Sequence, residues 1–154
     1  MEIEHKYLVR KDLWYAVHKP SGVSIRQGYL LTDPAKTIRV RKTDTEAFLT
    51  IKGPSQNATR AEYEYPIPPG EAEELLQLCT LPVIKKVRYR MEVSGKIWEV
   101  DEFFGGNEGL ILAEIELTFV EEKYEKPSWV GEEVTNDPRY YNAYLAEHPY
   151  SGWK

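Results

Sequence analysis

The sequence predicts a mainly antiparallel β protein of the α+β class, folded as a closed barrel with a charged lumen and a few outer helices. Three observations carry this prediction. Charged and apolar residues alternate along about eight segments, the period of an extended strand. The charged positions hold same-sign pairs: Glu2/Glu4, Arg39/Arg41, Glu62/Glu64, Lys86/Arg88, Glu99/Asp101 and Glu114/Glu116. The intervening positions are apolar or aromatic, among them Ile38, Val40, Tyr63, Val87, Tyr89, Trp98, Val100 and Ile115, and these need a core of their own. A closed barrel accommodates both faces, because inward and outward side chains alternate along every strand. Ordinary solvated strands would show a scatter of Thr, Ser, Lys and Gln instead.

The segments follow one another in order. Residues 1–10 form the first strand, with Glu2, Glu4 and Lys6 on one face and Ile3, His5 and Tyr7 on the other. Lys11 to Gly22 reads as a connection closed by Pro20-Ser21-Gly22. Val23 to Leu31, Thr37 to Arg41, Ala47 to Lys52 and Thr59 to Ile67 read as strands separated by Pro, Gly and Asn turns. After Pro68-Pro69-Gly70, Ala72, Leu75, Leu76 and Cys79 take a helical spacing, with acids at its start. Val83 to Val93, Lys96 to Phe103 and Leu110 to Phe119 return to period two. Around Pro127, Trp129 and Gly131 the pattern softens into a loop, and Asp137-Pro138 opens a last helix over residues 138–147.

Composition narrows the partners. A chain of 154 residues suits one domain with a core that needs no staples, so the expected domain spans 1–154. With 42% hydrophobic residues and 11 Tyr, disorder is excluded. The net charge of −5 argues against nucleic acid and anionic membranes as partners. No apolar run approaches the roughly 20 residues a membrane helix needs, and residues 1–10 are charged where a signal peptide is apolar. Cys79, the single cysteine, follows Leu78 and reads as a small buried hydrophobe. With no intrachain disulfide possible, the expected setting is the reducing cytoplasm. The residues specify no oligomeric state.

So many acids and bases facing one cavity are costly without ligands. The mixture suits a small-molecule polyanion held by Lys and Arg, with divalent cations bridging it to the carboxylates. Hard cations such as Mg²⁺ take oxygen ligands and share them between carboxylates and phosphates. His5, His18 and His148 are scattered and take no zinc-type spacing. The chemistry indicated is phosphoryl transfer.

At this point Glu2-Ile3-Glu4-His5-Lys6 resembles the E-x-E-x-K signature of the CYTH domain, or triphosphate tunnel metalloenzymes. The likeness covers nearly the whole chain, through R-Q-G-Y-L (26–30), R-V-R (39–41), T-I-K (50–52), E-Y-E (62–64), K-V-R-Y (86–89), E-V-D (99–101) and E-I-E (114–116). The stretch 131–142 resembles the short bacterial inorganic triphosphatase type. His5 stands where the family more often has Arg or Lys, at a position facing away from the lumen.

The resemblance implies an eight-stranded triphosphate tunnel that cleaves triphosphate-bearing small molecules with Mg²⁺ or Mn²⁺, two ions per site when substrate is bound. It implies Glu2, Glu4, Glu114 and Glu116 as metal ligands, with Glu62, Glu64 and Asp101 supporting a second metal or orienting water and neighbouring bases. Lys6, Arg39, Arg41, Lys52, Lys86 and Arg88 would cradle the phosphates, Arg as a planar fork and Lys as a point charge. Tyr29 paired with Lys52 is a candidate general base, since a nearby ammonium lowers a phenol's pKa, and Lys86 competes for the role of steering water. The last helix would stand near one tunnel mouth. The expected reaction is hydrolysis of tripolyphosphate to pyrophosphate and phosphate. On the same scaffold a CYTH-type adenylyl cyclase, making cyclic AMP from ATP, and a thiamine or nucleoside triphosphatase stay open. A non-catalytic polyphosphate- or nucleotide-binding module is the alternative of another class, and the acidic set weighs against it.

Overall fold

The computed structural model describes residues 1–153. The alternating segments fold as β1 (Glu2–Val9), β2 (Val23–Asp33), β3 (Lys36–Lys42), β4 (Ala47–Lys52), β5 (Thr59–Arg60), β6 (Glu62–Pro66), β7 (Ile84–Val93), β8 (Lys96–Phe104), β9 (Ile111–Glu116) and β10 (Val130–Glu133). Three helices join them: α1 (Lys11–Tyr15), α2 (Pro69–Leu78) and α3 (Asn142–Glu147). All strand pairs are antiparallel, in the order β10-β1-β9-β8-β7-β2-β3-β4-β6.

The ring closes through an interrupted strand. β6 pairs with β4, Glu62 opposite Lys52, and β5 pairs with β1, Glu2 opposite Arg60 and Ile3 opposite Thr59. The Glu4 amide adds a bond to the Ala58 carbonyl at 3.0 Å. Counting β5 and β6 as one broken stave, eight staves close the barrel, and β10 lies along the other half of β1. Thr59 to Ile67 is thus not one strand: Ala61 leaves the ladder, and its carbonyl accepts from the Gly53 amide at 3.0 Å. The β7–β8 hairpin turns on Ser94 and Gly95, both at positive φ (51° and 80°), the mirror-type turn that matches strand twist.

Two apolar clusters lie outside this ring and a third fills one end of it. The largest buries Tyr7, Trp14, Trp98, Val100, Ile115 and Trp129 on the outside. A second sets Val40 and Ala47 against Ala72 and Leu76 of α2. Gly28 permits that docking, since a Cβ there would stand 2.7 Å from the Cys79 Sγ and 3.1 Å from Leu76 Cδ2. A third cluster joins Tyr29, Ile84, Phe103 and Leu112 to Leu145 and Ala146 of α3. Register puts Ile84 and Phe103 on the face that carries Lys86 and Arg88, so this cluster fills one end of the lumen.

Several elements differ from the sequence expectation. The connection after β1 contains α1, which buries Trp14 completely; the indole N–H donates to Glu102 Oε2 at 2.7 Å. One buried residue in five gives no period to detect. β10 lies in the stretch read as a loop, where Trp129 and Val130 are buried. Residues 138–147 are two pieces: a 3-10 turn over Pro138–Tyr140, then α3, with Tyr141 extended between them (φ −75°, ψ 138°). Tyr63, expected in an outer core, is 58% exposed, because no helix covers the outside of β6 there. Removing the Trp14 indole leaves a large cavity and an unpaired Glu102. Trp14→Ala is expected to destabilise the fold by about 3–5 kcal/mol in urea titrations, and a loss below about 1 kcal/mol would mean that α1 is not docked.

Candidate active site

The period of two along each strand sends every second side chain into one lumen, and register brings those side chains level. Glu4 lies opposite Glu116 and Lys6 opposite Glu114 between β1 and β9. Arg88 faces Asp101 between β7 and β8, and Thr50 faces Glu64 between β4 and β6. The result is a cavity of about 680 Å³. Its wall includes Glu2, Glu4, Lys6, Tyr29, Arg39, Arg41, Lys52, Glu62, Glu64, Lys86, Arg88, Glu114 and Glu116, so one space gathers all the expected site residues except Asp101.

Acids collect where the barrel closes. Oxygens of Glu2, Glu62 and Glu116 lie within 4.8 Å of one another, contributed by β1, β6 and β9. Lys52 Nζ sits 3.0 Å from Glu2 and 3.5 Å from Glu62. Burial pushes the Glu2 carboxyl up, against the pull of Lys52. Burial, Glu62 and Glu99 push Glu116 up as well. Glu4 and Glu114 form a separate pair of neighbouring carboxyls. Glu4 is held well above the usual carboxylate range by burial and by the neighbouring Glu114. Burial acts upward on Glu114 too, but Lys6, Glu4 and Arg88 outweigh it and hold its carboxyl below the usual range. The four carboxylates expected as first ligands therefore divide, and Glu62 joins Glu2 and Glu116.

Bases line the facing wall. Arg39 is buried, with Nη2 3.3 Å from Thr50 Oγ1 and 3.8 Å from Glu64, and its Nε has no partner among the described residues. Arg41 is pulled down to about 10 by burial and by the neighbouring Arg39 and Arg88, and stays charged at neutral pH. Glu64 serves as their counterion, 3.4 Å from Arg41. Arg88 grips Asp101 in a fork, Nε to Oδ1 at 2.7 Å and Nη2 to Oδ2 at 2.9 Å. Lys86 Nζ lies 2.8 Å from Asp101 Oδ2 and donates to Asn142 Oδ1 at 2.9 Å. Burial draws its ammonium down to about 7, with Asp101 opposing. Asp101 is almost fully buried, and although burial opposes it, Arg88 and Lys86 hold its carboxyl far below the usual range. Both of its oxygens are thereby engaged with bases.

Other expected residues have different partners. Lys6 Nζ donates to the Tyr140 carbonyl at 3.1 Å and lies 3.8 Å from Glu114. Tyr29 is buried in the cluster at the filled end of the lumen, and among the described residues no hydrogen bond joins its hydroxyl to Lys52. Arg60 donates twice to the Gly53 carbonyl, at 2.8 and 3.1 Å, clasping the mouth loop. The sequence reading missed Thr50, Gln27 and Asn142. Thr50 shares the parity of Lys52 in the sequence, but its charged neighbours Arg39 and Glu64 come from the adjacent strands; Asn142 lies outside any alternating segment and gave no signal.

An acid cluster of hard oxygen donors faces a wall of guanidinium and ammonium groups inside the barrel, a donor set that could hold a divalent cation beside anion-binding groups. The chain belongs to the CYTH domain family, whose family model matches residues 1–145. It is 49% identical over 154 residues to an inorganic triphosphatase of Acetivibrio thermocellus, covering 99% of this chain and 97% of that one. An inorganic triphosphatase of Nitrosomonas europaea is 37% identical over 150 residues, covering 94% and 96% respectively. A crystal structure of an inorganic triphosphatase superposes with a TM-score of 0.64 at 34% identity, over 94% of this chain and 97% of that chain.

The Asp101 knot gives a stability prediction. Its folded pKa is depressed, so its contribution is present above the unfolded value of about 3.9 and is lost as pH falls through the folded value. Asp101→Asn is expected to cost about 3–5 kcal/mol at pH 7 by leaving two buried cations short of a partner. Denaturation measured from pH 7 down to 2 should show the gap full above pH 4 and narrowing below it (roughly, from the same pKa values). An unchanged gap across that range would remove the ion-pair account.

Proposed function

We propose that this protein hydrolyses inorganic tripolyphosphate to pyrophosphate and phosphate inside the barrel, with Mg²⁺ or Mn²⁺ as cofactor. The observation that carries the reading is the single lumen in which Lys6, Arg39, Arg41, Lys52, Lys86 and Arg88 face the Glu2/Glu62/Glu116 cluster. The two inorganic triphosphatases named above match at least 94% of the chain, which supports the assignment.

The donor set suits a hard divalent cation. Glu2, Glu62 and Glu116 offer only carboxylate oxygens, and they come from three separate staves yet converge. Glu2, Glu62 and Glu116 would hold one ion, and the Glu4/Glu114 pair is the candidate for a second. Such an ion, when bound, supplies charge neutralisation at phosphoryl oxygens and acidifies water. Arg39, Arg41 and Arg88 bind the anhydride oxygens, and the unpartnered Arg39 Nε is a donor with room for an acceptor. Phosphoryl transfer asks for alignment and charge stabilisation more than covalent help. Asp101 holds Arg88 and Lys86 in place. We assign Lys86 to steering the attacking water, because its Nζ, drawn to about 7, holds or releases a proton near neutral pH. Tyr29 we assign to packing the closed end of the lumen. The lone Cys79 and the absence of a described helix long and apolar enough to cross a membrane accord with our placement of the protein in the cytoplasm.

Purified protein should release phosphate from tripolyphosphate with Mg²⁺ or Mn²⁺ and lose that activity in EDTA. ATP and thiamine triphosphate should turn over more slowly, without cyclic AMP. Glu116→Gln should lower kcat by about 10²-fold or more with an unchanged circular dichroism spectrum, and Arg39→Ala should chiefly raise KM. The reading fails if no triphosphate is turned over in a metal-dependent way.

A further inference from the structure

Three side chains from distant parts of the chain meet at one oxygen. Asn142 Oδ1, on the first residue of α3, accepts from Lys86 Nζ at 2.9 Å and from Gln27 Nε2 at 2.6 Å. Gln27 is completely buried on β2, where register sets it opposite Arg41 and Ile84 on the lumen face. Its own Oε1 has no partner among the described residues. Donor and acceptor chemistry explains this arrangement. An ammonium only donates, so Asn142 must turn its carbonyl oxygen towards Lys86. Gln27 must then present its NH₂ group to the same oxygen, which leaves its carbonyl oxygen unpaired. A buried acceptor without a partner is uncommon in folded proteins and marks a constraint set by something other than stability.

We infer that Asn142 and Gln27 are positioning residues that aim Lys86 Nζ into the lumen, towards the attacking water; this rests on the hydrolase reading above. Asp101 and Asn142 engage Lys86 Nζ at 2.8 and 2.9 Å, the Phe103 ring lies 5.5 Å away, and no further hydrogen-bond partner stands among the described residues, while Lys86 lines the cavity. Asp101 alone would leave Nζ free to swing about one contact. Asn142 fixes a second direction, and Gln27 in turn fixes Asn142. The C-terminal helix therefore does more than fill the end of the lumen with Leu145 and Ala146. Through its first residue it sets where one N–H of the lysine points.

The test uses the full chain with tripolyphosphate and Mg²⁺. Wild-type turnover is measured first, and its absence counts against the hydrolase reading alone. Given turnover, Asn142→Ala is expected to lower kcat by about 10²-fold with KM changed less than about threefold, since misplacement of a group costs rate more than binding. Asn142→Asp keeps an oxygen acceptor for both donors and should bring kcat back to within about threefold of wild type, whatever the added charge does to KM. A helix-stability role would predict loss of melting temperature without that rescue. Wild-type kcat in Asn142→Ala, or an equal fall in Asn142→Asp, overturns the inference. If Asn142→Ala does not fold, Gln27→Met carries the test: a fall in kcat at unchanged KM supports it and wild-type kcat overturns it. Independently of activity, the slowly exchanging ¹⁵Nζ ammonium signal of Lys86 should be present in the wild type and lost in Gln27→Met; its survival there counts against the coupling.

Discussion

The structure depends on confining charges of both signs inside a closed ring of strands. A strand can hide one set of side chains only by turning the alternate set to the opposite face. In this barrel the apolar set is packed outside against α1, α2 and Trp129, so the charged set has nowhere to go but inward. Once inside, the charges must satisfy one another, because isolated buried ions are prohibitive. The Asp101–Lys86–Arg88 knot and the Glu64 bridge to Arg39 and Arg41 show that satisfaction among the bases. Among the acids it is incomplete: Glu2, Glu62 and Glu116 crowd together with one lysine between them.

That imbalance links stability to function. The groups that neutralise one another build a basic wall, and the carboxylates left in excess gather at Glu2, Glu62 and Glu116. Arg39 and Arg41 share a single carboxylate, Glu64, and Arg39 retains an unpartnered Nε. The lumen is therefore short of anion on one side and short of cation on the other, which is complementary to a phosphate chain carrying divalent ions. The closure of the ring at β5 matters here, since only two paired residues join β5 to β1, and the converging carboxylates of Glu2 and Glu62 stand on either side of that seam.

Much of this is legible in the sequence. Same-parity pairs such as Glu2/Glu4 and Arg39/Arg41 gave the strands, their faces and the charged lumen, because period two is a local property. Elements without a period were not legible. α1 has one buried residue, Trp14, and β10 is four residues long with glycine at its second position, so neither repeats often enough to be read. Tyr63 alternated correctly but found no helix above it.

By itself, then, the sequence determined that acids and bases share one interior, since parity along a strand needs no knowledge of its neighbours. Only the tertiary structure decided which acid meets which base. Register across the ring put Glu62 with Glu2 and Glu116, set Glu4 beside Glu114, and turned Asp101 wholly towards Lys86 and Arg88. It also brought Asn142, 56 positions from Lys86, to the lysine's side. Such pairings follow from ring closure and from the seating of α3, and no local pattern encodes them.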